Sequence, residues 1–218
     1  MKFALISFSA LLVVAPVAAS PLRAQGGQQA NVPQTRPLER LAAEQMLVLP
    51  VQYLTFADSL GWSQGAPSSG TYLSTVDDEI AFALKQRGLK GRWTLAPDII
   101  RSVERNPGYA PDPRSLAATE IRWGQKEAGW ELREPLASQL RALIALTDAR
   151  YVLFPVELRM VGSKGVGHAM LHLVIIDARR SQVQWSGDLA GADATKFSPA
   201  IAADIASRLA DLIAAPIN

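Results

Sequence analysis

The chain has 218 residues, 49% of them hydrophobic, with 22 Lys and Arg against 20 Asp and Glu and no cysteine, which is enough for one domain with a full core. The missing cysteine excludes disulfides, thiol catalysis and thiolate metal sites. Lys2 and Arg23 account for the small positive excess, so the remaining chain is neutral and gives no electrostatic case for nucleic acid or an anionic membrane as partner.

Met1-Lys2 is a short basic start, Phe3 to Val14 is almost wholly apolar, and Ala15 to Ala24 is rich in small residues. That pattern is a secretory signal peptide. Its apolar core is shorter than the ~20 residues a membrane-spanning helix needs. Cleavage after Ala19 or after Ala24 fits small residues before the cut, and the polar stretch opening at Gln25 favours Ala24. No cysteine is present to carry a lipid, so the expected product is an exported, periplasmic protein with no transmembrane helix after cleavage. Residues 25–40 are polar and read as a flexible mature terminus. Residues 41–218 read as a single domain.

Met46 to Gln52 is a continuous apolar run and predicts a strand buried on both faces, with Pro50 near its end or at an edge. Residues 53–72 hold Gly61, Gly65, Pro67 and Gly70 and predict a long loop, mobile or functional. Ser74 and Thr75 are caps for a helix with Asp77 to Glu79 at its positive end, and Gly88 is its left-handed cap. A short strand over 91–95, a helix opened by Pro97 and closed at Asn106-Pro-Gly, an ambiguous stretch over 107–134 and a helix from Pro135 follow. Tyr151 to Glu157, His168 to Asp177 and Val183 to Gly187 predict three consecutive strands, with a hairpin at 178–182. Ile201, Ile205, Leu209 and Leu212 recur at helical spacing in a last helix over about 198–214. The expected fold is an α/β (α+β) sandwich: a mixed sheet of about five strands ending in a three-strand meander, with helices packed on the sheet.

The early Leu-Pro-Val strand, the helix ending at Arg-Gly, and the segment Leu-Thr-Asp-Ala-Arg-Tyr-Val-Leu-Phe-Pro-Val resemble the bacterial envelope fold shared by CsgG, the amino-terminal domain of TolB and LpoB. Leu-Val-Ile-Ile-Asp177-Ala-Arg-Arg-Ser-Gln-Val-Gln-Trp185 is similar to the strand–turn–strand of those proteins. The resemblance covers residues 46–213. It implies a stand-alone periplasmic domain used for protein contacts. The chain departs from CsgG and LpoB in lacking a lipidation cysteine, from CsgG in lacking a barrel-forming insertion, and from TolB in lacking a propeller.

Candidate chemistry is sparse. His168 and His172 share one strand face about 13–14 Å apart, too far for one metal ion. Gly65 to Thr71 lacks the lysine of a phosphate-binding loop, and there is no Gly-x-Ser-x-Gly elbow. Asp77, Asp78 and Glu79 are explained by a helix start, and Asp177 by an Asx turn. No catalytic residue, cofactor or metal site is assigned. Trp123 and Trp130, with Trp62 and Tyr53, are the candidate partner surface, carried by the 53–72 loop and the 107–134 insertion. The expected function is a non-enzymatic accessory domain that binds another cell-envelope protein. The alternative is a small-ligand binder or hydrolase with a pocket under the 53–72 loop.

Overall fold

Residues 38–215 are described by the structure, a computed structural model; the stretch read as a signal peptide, its expected cleavage site and residues 25–37 of the terminus read as flexible lie outside them. In chain order the strands are β1 (Met46–Val48), β2 (Tyr53–Phe56), β3 (Trp93–Thr94), β4 (Tyr151–Ser163), β5 (Val166–Asp177) and β6 (Gln182–Ala190). The helices are α1 (Trp62–Gly65), α2 (Ser69–Gln86), α3 (Ala96–Arg105), α4 (Thr119–Arg122), α5 (Leu136–Ala145) and α6 (Ala200–Ile213). One mixed sheet has the order β3–β1–β4–β5–β6, and β2 pairs with β4 off that path. The expected α/β sandwich and its three-strand meander are both present, and β2 is a strand the loop reading did not contain.

The β1–β2 region shows why. Both strands run parallel along the same edge of β4, Met46 opposite Tyr151 and Tyr53 opposite Glu157. Pro50 cannot donate to a ladder, and the pairing is broken between Val48 and Tyr53. The N–H of Val51, inside the break, donates instead to Asp77 Oδ1 at 2.8 Å. Asp77 is therefore not a residue of the helix start. Helix α2 begins at Ser69, six residues before Thr75, and Ser68 is its cap, accepting from the Thr71 N–H. Thr75 lies inside the helix, where its hydroxyl donates to the Thr71 carbonyl. Gly88 does close α2 with φ of 75°, and Leu89 N–H donates back to Leu84 O, as a left-handed cap requires.

Helices cover both faces of the sheet. Val76, Ile80 and Leu84 of α2 and Ile205, Leu209 and Ile213 of α6 pack on Met46, Val48, Leu158, Leu171, Leu173 and Ile175. Ile99 of α3, Ile121 of α4 and Leu136, Leu140 and Leu143 of α5 pack on Leu47, Val152, Phe154, Val174 and Ile176. The alternation of β5 between the two clusters follows the period-two rule. Packing begins before Leu41: Leu38 is buried and its N–H donates to Leu212 O at 3.2 Å.

The connection over 53–72 is filled rather than hollow. Phe56, Trp62 and Tyr72 gather around Phe197, with ring centroids 5.0–6.3 Å away. Trp62, 5% exposed, belongs to this core and not to a partner surface.

Candidate functional site

Helices α3 and α5 cover only the apolar half of their sheet face. Beyond them a row of four polar side chains crosses four strands in register: Tyr53 opposite Glu157, Glu157 opposite His172, and His172 opposite Asp188. Directly opposed residues point to the same face. Strict alternation through Val152, Phe154 and Val156 would send Glu157 to the other side. A bulge in β4 between Pro155 and Glu157 absorbs one residue and turns Glu157 into this row.

Glu157 is 1% exposed, and a buried carboxylate requires donors. Its Oε1 accepts from Thr55 Oγ1 at 2.7 Å and from Arg122 Nε and Nη2 at 3.0 and 2.5 Å. Arg122 Nη2 also donates to Thr55 Oγ1 at 3.0 Å. Farther along the row, His172 Nδ1 lies 2.7 Å from Asp188 Oδ1, and Arg159 Nη2 lies 3.1 Å from Asp188 Oδ2. His172 and His168 serve different carboxylates, Asp188 and Asp193.

Arg122 carries the row to the surface. Its guanidinium carbon sits 4.3 Å from the centroid of the Tyr53 ring and 4.5 Å from that of Trp123, within cation–π range. Trp123 is 58% exposed. After it the chain is tied down again. Lys126 N–H donates to Ser186 Oγ at 2.7 Å, and the Ser186 hydroxyl returns a bond to Lys126 O at 2.9 Å. Gly129 N–H donates to Val183 O, Val183 N–H to Trp130 O, and Leu132 N–H to Ser181 O. Residues 119–132 thus form a strap that covers the polar row and caps part of the β6 edge.

Of the four aromatics singled out from the sequence, Tyr53 and Trp123 meet on Arg122. Trp130 lies on the same strap, half-buried against the α5 cluster, with Lys126 Nζ 5.0 Å from its ring. Trp62 is on the other side of the sheet in the core. Sequence reasoning did not find Arg122, Glu157, Thr55 or Asp188. Glu157 alone gave a signal, as a lone acid inside an apolar strand.

No family model matches this sequence, and no curated protein matches it. Among solved structures the chain is similar to Escherichia coli LpoB, with 12% identity, 87% of this chain and 85% of that one covered, and a TM-score of 0.37. It is similar to the carboxy-terminal domain of Salmonella enterica LpoB, with 14% identity, coverage of 72% and 93%, and a TM-score of 0.36. It is also similar to the PelC dodecamer from Paraburkholderia phytofirmans, with 11% identity, coverage of 80% and 91%, and a TM-score of 0.33. These are weak resemblances of fold.

Proposed function

We propose that this chain is an exported envelope protein that binds another envelope protein, without catalysis, through the surface formed by Tyr53, Arg122 and Trp123. One observation carries the reading: a largely exposed indole is held in place by a guanidinium that is itself clamped to a buried carboxylate. A large apolar side chain on the surface costs solvation, and fixing it in advance reduces the ordering cost of binding. Tryptophan, tyrosine and arginine are also the residue types on which interface energy concentrates. The export part of the proposal rests on the pattern of residues 1–24.

The test is a crosslinking pull-down from the producing cell's envelope with the wild-type chain and Trp123→Ala. A specific envelope protein recovered by the wild type and lost by a folded Trp123→Ala supports the proposal. Equal recovery by both removes Trp123 from the interface. Deleting 122–131 would be a poorer test, because it would leave Glu157 without Arg122 and strip the bonds that residues 126–131 make to β6.

A further inference from the structure

At the opposite end of the sheet, where β1, β3 and β4 begin, three arginines line one surface pocket. Its volume is about 490 Å³ and its walls are Ala43, Glu44, Gln45, Arg92, Arg150 and Arg179. Arg150 immediately precedes β4 and lies seven residues before Glu157, roughly 20 Å away by strand rise, so this pocket is separate from the Tyr53–Arg122–Trp123 surface.

We infer that this pocket binds a phosphate group, free or carried on a larger molecule. Arg92 and Arg150 are each oriented by a hydrogen-bonded acceptor that leaves donors unused. Arg92 Nη1 donates to Ala43 O at 2.7 Å. Arg150 places Nε and Nη2 on Asp177 Oδ2 at 3.0 and 2.8 Å, and lies 4.8 Å from the centroid of the Tyr151 ring. Arg179 Nη2 stands 3.8 Å from Asp148 Oδ1, an ion pair beyond hydrogen-bond reach. A guanidinium has five N–H donors, so all three retain some.

The lining presents three guanidiniums against one carboxylate, Glu44. Asp177 and Asp148, outside the lining, offset part of that charge: Asp177 pairs with Arg150 and Asp148 stands 3.8 Å from Arg179. A carboxylate matches one guanidinium fork. Three guanidiniums match a group with several acceptor oxygens around one anionic centre, which is the chemistry of phosphate. The neutral net charge of the chain does not oppose this, because the field that matters is that of the pocket.

The test uses the purified full chain and two probes: inorganic phosphate in calorimetric titration, and flotation with phosphatidylcholine vesicles made with or without phosphatidylglycerol. Binding is expected to weaken about tenfold in Arg92→Ala/Arg179→Ala. The control Arg101→Ala/Arg208→Ala removes the same charge elsewhere and is expected to bind like wild type. Circular dichroism checks that both variants fold. Response to phosphate alone assigns a free anion, and response to phosphatidylglycerol vesicles assigns a headgroup; either supports the site. Binding of neither probe overturns the inference, and so does equal weakening in the control pair, which would mark nonspecific attraction.

Discussion

Arg122 on the strap and Glu157 on β4 form an ion pair in which the carboxylate is buried and the guanidinium is half-buried between two aromatic rings. Removing either partner leaves the other's charge uncompensated in a poorly solvated place. Such losses cost about 3–5 kcal/mol when the survivor is fully buried. Arg122→Ala, which orphans Glu157, is expected to lower unfolding free energy by about 3 kcal/mol. Arg122→Ala/Glu157→Gln should cost less than the two single changes summed, because the second change removes the orphaned charge. Urea denaturation of the four proteins measures this; additive losses would mean that the pair is not coupled.

Asp77 gives the chain a pH dependence in the unusual direction. Burial, partly offset by the Val51 N–H and by Arg114, raises its pKa from 3.8 to about 7. Between those values the folded state holds a proton that the unfolded state has released. Stability attributable to this group is therefore present below pH 4, declines as pH rises towards 7, and is flat above. The span amounts to as much as about 4 kcal/mol. Asp77→Asn keeps an acceptor for Val51 and removes the ionisation, so it should gain on wild type at pH 8 and match it at pH 4. Urea midpoints at both pH values test the sign; parallel curves for the two proteins would show that Asp77 ionises without penalty.

Close approach, rather than turn geometry, fixes two glycines of the β4–β5 hairpin. Gly162 and Gly167 face each other across the ladder, and the turn itself is made by Lys164 and Gly165, both with positive φ. A Cβ on Gly167 would come 2.5 Å from Leu60 Cδ1, 2.9 Å from the Val161 carbonyl and 3.0 Å from the Trp62 ring. The carbonyl cannot step aside as a side chain can. Gly167→Ala is expected to cost about 2 kcal/mol by overpacking, while Gly165→Ala acts through strain alone, at about 1 kcal/mol. A thermal shift for Gly167→Ala no larger than that for Gly165→Ala would contradict the contact.

These cases show which parts of the molecule were legible in its sequence. The meander was, because β4, β5 and β6 are long and continuous, and the Asx turn was too, with Asp177 Oδ1 accepting from Arg180 N–H at 3.2 Å. Its ion pair with Arg150 was not, since the two residues are far apart in sequence. Strand β2 was hidden because four residues among glycines and prolines carry little pattern. The start of α2 was misplaced because several Ser and Thr residues offered caps, and local spacing does not say which one tertiary packing will use. The candidate site depends on a bulge that reverses the alternation of β4, and no periodicity reports an inserted residue before the partner strand is known.

The strap is the last element whose order can be tested. Between Trp123 and Gly129 its backbone bonds to the sheet run through one side chain, that of Ser186, which both accepts from Lys126 N–H and donates to Lys126 O. Ser186→Ala removes both bonds while leaving the pairing of Gly129 and Trp130 with Val183 intact. The loss of global stability should be small, about 1 kcal/mol. The local effect should be larger, because segments open individually when few bonds hold them. Hydrogen exchange of the Lys126 amide is expected to accelerate by an order of magnitude or more, while amides in β4 and β5 keep their protection. If the proposed partner reads a pre-ordered Trp123, Ser186→Ala should also weaken capture, even though Ser186 is not itself part of the proposed contact surface. Unchanged exchange at Lys126 would mean that the strap is held by its two ends alone. Faster exchange with undiminished capture would mean that the indole does not need to be held in advance.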